Sequence, residues 1–233
     1  MDEPREFLIA SGADLVGYAD LTGLDSDCRL NMPFGISIAI KLDPQIVKKI
    51  PSDTVIEEYS NENDRVTDRL EKLCMQTYSY ITDRGFHCIP LTIDYFRKNY
   101  PGKARLPHKT IAALAGLGWI SKSSLLITPQ YGSAVRLTSV LTDMPLDTEP
   151  HQYECKCGTC TICVDACPSR AIRNKIWTVQ TDRDELVDVA ACREATLNRG
   201  KEYGKVHGTC GICVAVCPYT KKHLNLKGEL ISL

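Results

Sequence analysis

No excess of charge of either sign marks this chain. Its 233 residues carry 28 Lys and Arg against 29 Asp and Glu, a net charge of −1. That balance excludes a strongly basic nucleic-acid surface as the organising feature. No apolar run approaches the length of a membrane span, so no membrane partner is expected. The start, Met1-Asp2-Glu3-Pro4-Arg5-Glu6, is charged and lacks the apolar core of a signal peptide. A cytoplasmic location is the expectation. Low-complexity segments are absent, and nothing repeats except one short cysteine pattern. The rest is ordinary for a globular protein: 43% hydrophobic and 24% charged residues. The length suits one large domain with a small appendage.

Cysteine is plentiful, with twelve residues. In a cytoplasmic chain that density points to metal before disulfides. Most of it lies in one stretch, Cys157-x2-Cys160-x2-Cys163-x3-Cys167-Pro168, then Cys192, then Cys210-x2-Cys213-x3-Cys217-Pro218. The first run has the full spacing of a two-cluster ferredoxin, whose fourth cysteine serves the other cluster. The second run repeats it with its first cysteine displaced upstream. A [4Fe–4S] cube needs four inward-pointing thiolates, and two intervening residues let cysteines of one turn reach separate irons. The prolines turn the chain away after each run. By this rule one cluster takes Cys157, Cys160, Cys163 and Cys217. The other takes Cys167, Cys210, Cys213 and, as the only cysteine between the runs, Cys192. Disulfides do not explain so regular a pattern, and zinc sites use CxxC pairs without a third cysteine in the turn. Cys28, Cys74, Cys88 and Cys155 are left as buried or unpaired thiols. Cys155 is near enough to Cys157 to exchange with it as a ligand, although that breaks the spacing.

Upstream, the periodicities mix helix and strand without a βαβ repeat. They predict an α+β layered domain over residues 1–150, followed by a ferredoxin-like dicluster domain over 151–233. A short helix over 3–11 ends at Gly12, and strands are expected at 15–19 and 36–42. One helical turn lies between Pro44 and Pro51. A long helix runs from Ser52 or Asp53 to about Arg84, with a possible break at 61–63. Its buried face is Val66, Leu70, Leu73, Thr77, Tyr80 and Ile81. A strand at 86–91 follows, then a polar, aromatic and basic surface loop over 92–107 and a helix over 108–115. Leu125–Thr128 and Val135–Leu141 read as a hairpin turned at 129–133.

The segment Lys109-Thr-Ile-Ala-Ala-Leu-Ala-Gly-Leu-Gly-Trp-Ile-Ser-Lys-Ser-Ser-Leu-Leu-Ile-Thr, with the Gly132-Ser133 turn and the cysteine pattern after it, resembles the epoxyqueuosine reductase family. The resemblance spans about Ala13 to Tyr219. It implies a nitroreductase-like cofactor domain related to the cobalamin-dependent reductive dehalogenases. It also implies two [4Fe–4S] clusters that pass electrons to a corrinoid cobalt, making the chain an oxidoreductase. Three departures point away from tRNA epoxyqueuosine as the substrate. The family's C-terminal helical-repeat extension does not follow, its proton-donor Asp would fall at Gly102, and Ser121 replaces a motif glycine.

With that resemblance, Gly116, Leu117 and Gly118 read as a turn whose main chain approaches a large cofactor. Trp119 reads as cofactor contact or core. Lys122 and Ser124 read as hydrogen-bond donors to a corrinoid or as solvated side chains. A net reduction needs a proton donor. The candidates are Asp94 and Tyr95, if partly buried, and His108, which titrates near neutrality unless it simply faces solvent at a helix start. The basic stretch Arg97, Lys98, Lys103, Arg105 and Lys109 holds an anion or is a solvated loop. The implied partners are a low-potential donor of the ferredoxin or flavodoxin type and either a small substrate or a corrinoid. Two alternatives stay open: an electron-transfer or reductive-activation partner of a corrinoid protein, and a flavin in the first domain.

Overall fold

The computed structural model describes residues 3–52, 55–100, 104–148, 153–201 and 210–225. Helices and two small sheets alternate along the chain. In order come α1 (Glu3–Ala10), β1 (Leu15–Asp20), β2 (Phe34–Lys41), α2 (Pro44–Lys49), α3 (Ile56–Thr82), β3 (Cys88–Pro90), α4 (Ile93–Asn99) and α5 (His108–Leu114). Then follow β4 (Trp119–Ile120), β5 (Leu126–Ile127), β6 (Val135–Thr142), α6 (Ile162–Asp165), α7 (Arg183–Leu186), α8 (Val189–Lys201), α9 (Ile212–Ala215) and α10 (Pro218–Asn225). The chain divides into two compact units, each assembled from separate stretches. One takes residues 1–40, 66–118 and 136–153; the other takes 41–65, 119–135 and 154–233.

The first unit is built on a four-stranded sheet of order β1-β2-β6-β3. β1 and β2 are antiparallel, with Leu15 opposite Ala39 and Asp20 opposite Phe34. β3 runs antiparallel to β6, with Cys88 opposite Thr142. β2 has both faces covered, since Gly35 to Ile40 are all buried, which explains its run of Ile and Ala in place of strict alternation. Ala19, Leu21, Leu91, Leu106, Ile111, Ala115 and Leu141 form one apolar core. α3 buries Val66, Leu70, Leu73, Cys74, Thr77 and Ile81 in this unit. Tyr80 stays half-exposed on that helix and stacks on Phe7 at 4.9 Å.

The second unit pairs β4 with β5 and packs α2 against α9 and α10, and α6 against α9. α2 begins where Asp43 accepts a hydrogen bond from the Gln45 backbone N–H at 2.8 Å, with Pro44 in the first turn.

Three expectations change. α3 runs unbroken through 61–63, because Asn63 donates its amide to the Tyr59 carbonyl at 2.8 Å and stays helical. Asp53 lies outside the described residues. The expected loop over 92–107 contains α4, which starts where Thr92 Oγ1 accepts from the Tyr95 N–H at 3.1 Å. The expected hairpin does not form. β5 pairs back onto β4, Trp119 opposite Ile127 and Ile120 opposite Leu126, while β6 joins the large sheet. A tight turn at 121–124 makes this possible, closed by Ser124 N–H to Ser121 O at 2.9 Å with Ser124 left-handed at φ 62.

Candidate functional site

Cysteine residues of the second unit lie near enough to act on one another electrostatically. Burial pushes the Cys163 thiol up to about 11, and Cys157, Cys217 and Cys160 add to the effect through their charge. Cys217 is raised by burial, against hydrogen bonds from the Thr220 and Tyr219 backbone, and Cys157 raises it further. Burial raises Cys213 to about 12, with Cys210, Cys192, Cys163 and Cys167 contributing. Cys192, on α8, is raised by burial and then by Cys167 and Cys210, against a hydrogen bond from Thr196. Cys163 thus feels Cys157, Cys160 and Cys217, while Cys213 feels Cys210, Cys192 and Cys167 and also Cys163. Thiols crowded this way resist ionisation unless a metal shares their charge. Among the described residues, no three Cys, His, Asp or Glu side chains converge as they would on a single ion. Thiolates around a cube stand further apart, since each binds its own iron.

Short turns hold these sulfurs. The Cys160 N–H bonds to Cys157 O at 3.0 Å, and α6 and α9 begin directly after Thr161 and Gly211. The Ala171 N–H points at Cys167 Sγ, 3.3 Å away. Burial alone would raise Cys167, but hydrogen bonds from Ser169 Oγ and from backbone N–H groups outweigh it and lower its pKa. Cys155 sits against Cys157. The S–H of Cys157 favours ionised Cys155 and pulls it down to about 6, while Cys157 itself is raised.

Two cations reach into this region. Lys122, only 4% exposed, donates from Nζ to the Cys160 carbonyl at 3.1 Å. A solvated Lys122 is therefore ruled out. Arg199 Nη1 donates to the Cys210 carbonyl at 2.9 Å and lies 3.9 Å from Cys210 Sγ. Its Nη2 bonds the Ile50 carbonyl at 2.9 Å. Arg199 was not foreseen, though a signal existed: it follows Cys192 by seven residues on one helix, which puts both on one face. Trp119 is buried in the same unit, with Tyr219 edge-on at 4.8 Å and Lys156 Nζ 5.3 Å from its ring centre. Ser121, Ser123 and Ser124 are buried too; Ser121 Oγ meets Ser123 Oγ at 2.9 Å and the Leu125 carbonyl at 3.0 Å.

The remaining candidates lie in the first unit. Gly116 (φ 73) and Gly118 (φ 158) both have positive φ and flank the buried Leu117. His108 opens α5 with its side chain half-buried. Its ring stands edge-on to Phe96 at 5.1 Å and its Nδ1 is 3.2 Å from Ser139 Oγ. Burial, with Arg136 adding to it, pulls its pKa down to about 4, so it is neutral at pH 7. Asp94 lacks the burial a raised acid needs. Its side chain is 92% exposed, 3.4 Å from exposed Arg97. Tyr95 is half-buried, and burial followed by Tyr100 raises its phenol. An acid that went unforeseen is Glu71 on α3. It accepts the Ile93 N–H at 3.1 Å, and its pKa is raised mainly by burial. Of the basic stretch, Arg97 and Lys98 are exposed on α4, and Lys103, like Gly102, lies outside the described residues.

This chain is similar to known proteins. Residues 156–220 match the 4Fe-4S double cluster binding domain. The chain is 38% identical over 120 residues to an epoxyqueuosine reductase of Cyclobacterium marinum, a match covering 47% of this chain and 36% of that protein. It is 37% identical over 117 residues to the tetrachloroethene reductive dehalogenase of Sulfurospirillum multivorans, covering 48% of this chain and 23% of that one. The fold is that of a solved epoxyqueuosine reductase, with a TM-score of 0.65 at 19% identity over 94% of this chain and 65% of the other. The matched stretch is thus about a third or less of these curated relatives' length. Among the described residues, no helix is long and apolar enough to cross a membrane. The chain carries a 4Fe-4S double cluster binding domain and is a relative of the epoxyqueuosine reductases and the reductive dehalogenases.

Proposed function

We propose that this iron–sulfur protein is a corrinoid-dependent reductase. In this reading it relays electrons from a low-potential ferredoxin or flavodoxin, through two [4Fe–4S] clusters, to a corrinoid. The observation that carries this reading is the match of residues 156–220 to a 4Fe-4S double cluster binding domain, with Cys163 in electrostatic reach of Cys157, Cys160 and Cys217, and Cys213 in reach of Cys210, Cys192 and Cys167. Adjoining clusters suit one-electron hopping because the gap between them is short, and their potentials can be set separately. The chain's own contribution is to hold the cubes, partly bury Cys163, Cys213 and Cys217, and place cations beside the ligands. The corrinoid rests on the family resemblance and on the main chain at Gly116 and Gly118, which carry no Cβ to obstruct a flat cofactor. A bound corrinoid would supply a cobalt centre able to accept electrons and reduce a substrate. A nitroreductase-like layering of the cofactor domain over residues 1–150, with 151–233 as the dicluster domain, belongs to the same proposal. Tyr95 and Glu71 are the proton-donor candidates with burial to support the role. Neutral His108 is held on Ser139 and is better suited to accepting or relaying a proton than to storing one.

A second reading is favoured by one observation. Trp119 and Lys122, nominated as corrinoid contacts, are turned to the cysteine module instead. The chain would then be an electron-transfer or activation partner that docks a corrinoid protein. Anaerobic protein mixed with cob(II)alamin separates the readings. The first expects a changed cobalt EPR spectrum, and an unchanged spectrum at saturating cobalamin rejects it. A flavin in place of the corrinoid would show as a flavin absorbance band that survives cluster removal.

A further inference from the structure

Lys122 is a buried ammonium, 4% exposed. Among the described residues no carboxylate pairs with it, and its hydrogen bond goes to the Cys160 carbonyl at 3.1 Å. A charge taken out of water needs a counter-charge. A cube held by four thiolates is negative in both redox states, and more so when reduced. Cys160 belongs to the group Cys157, Cys160, Cys163 and Cys217, so the cube at that group is the counter-charge within reach. Trp119 adds a second observation. Its indole Nε1 is buried and finds no hydrogen-bond partner among the described residues. Its ring is pinned between Tyr219, two residues after Cys217, and Lys156, which precedes Cys157. The ligand next in sequence to Lys156 is Cys157, whose sulfur belongs to the first group. Cluster binding would turn that sulfur into a thiolate acceptor. The adjoining group has its own cation, since Arg199 Nη1 bonds the Cys210 carbonyl and lies 3.9 Å from Cys210 Sγ.

We propose that each cluster has a dedicated cation held on the carbonyl of one of its ligands, Lys122 for the Cys157 group and Arg199 for the Cys210 group. We further propose that Trp119 donates its indole N–H to a ligand sulfur of the first. These groups stabilise the reduced cube and raise its potential, because positive charge and N–H donors favour the added electron. They let the two potentials be set independently. Each step is a one-electron reduction of a cube from its oxidised to its reduced state by an external one-electron donor, with no proton required. The inference rests on the proposed clusters and not on the corrinoid.

The test is an EPR-monitored redox titration with dithionite of anaerobically purified full-length protein, without added corrinoid. The component assigned to the Cys157 group is the one lost in Cys217→Ala. Lys122→Met and Trp119→Phe are expected to move that component to more negative potential and leave the other in place. Arg199→Met is expected to move only the other. Lys122→Arg keeps the charge and should retain most of the wild-type value, which a purely structural role would not predict. Unchanged midpoints at full iron content overturn the proposal. So does loss of the same four-iron component in both Lys122→Met and Trp119→Phe, which would make those side chains structural supports. Absence of any cluster signal in the wild type would overturn the proposed function as well. Clusters present with unmoved midpoints overturn only this inference.

Discussion

The ring of Tyr59 stands where a side chain on Gly211 would begin: a Cβ built there would lie 2.5 Å from Tyr59 Cε1. Gly211 is also left-handed, at φ 66, and forms the N-cap of α9 between Cys210 and Cys213. Two constraints thus converge on one residue of the CxxC turn. Gly211→Ala is expected to cost about 1–3 kcal/mol from backbone strain and overlap and to lower iron occupancy at the Cys210 group. Tyr59→Ala in the same chain should recover the overlap part and not the strain part. Iron content and denaturant unfolding of the single and double variants check this. Full iron in Gly211→Ala would show that the turn tolerates a Cβ.

Crosswise sharing of ligands gives a sharper outcome. Cys217 closes the second cysteine run, yet its sulfur feels Cys157 and is felt by Cys163 of the first. Cys217→Ala should therefore remove the cluster of the earlier cysteines, reducing iron from about eight to about four per chain. Cys192→Ala should remove the other. Iron and sulfide analysis, with EPR of the reduced protein, distinguishes the two. If Cys217→Ala spares the cluster at Cys157, Cys160 and Cys163, the assignment fails.

His108 predicts a pH dependence. Its folded pKa is depressed to about 4 from an ordinary 6.5, so between those values the unfolded chain binds the proton more readily than the folded one. Stability from this group is intact above pH 6.5 and is lost as pH falls through that range. The loss amounts to at most about 2 kcal/mol at pH 5. Comparing wild type with His108→Gln by urea unfolding at pH 7.5 and pH 5 isolates the term. The variant should lose less on acidification, and equal losses would mean that the ring is accessible to water.

Much of this was legible in the sequence because it is local. The cysteine spacing fixes which sulfurs can meet, and the β-branched run at 36–42 could only be a strand. What was missed depended on distant partners. Nothing near Leu125 says that β5 will pair with Trp119–Ile120 in preference to the longer segment at 135–141. The choice follows from β6 being eight residues long with five consecutive buried positions, a strand that a large sheet can use on both edges. α4 was hidden by its basic and aromatic composition, although Thr92 ahead of it was a readable cap. The sequence leaves Lys122 open between a hydrogen bond to a corrinoid and solvation, because lysine is usually exposed. Its burial comes from Cys160, 38 residues along the chain, and no local pattern reports that contact.

Two cysteines outside the two groups, Cys74 and Cys88, are expected to be chemically quiet. Cys74 is fully buried on α3, and its Sγ donates to the Ser139 carbonyl at 3.7 Å. Burial raises its pKa to about 11, and that of Cys88, on β3 of the same sheet, to about 12. Thiolate is the species that reacts with iodoacetamide. At pH 8 a thiol with a pKa near 11 is ionised in only about one molecule in a thousand, so burial and protonation act in the same direction. Native cluster-loaded protein treated briefly with iodoacetamide under anaerobic conditions should leave Cys74 and Cys88 unmodified, and unfolding should expose both. Peptide mass mapping reads the result. Rapid native labelling of Cys88 would mean that the β3 edge opens readily, and would place a reactive thiol in the first unit where the structure shows only a packing residue.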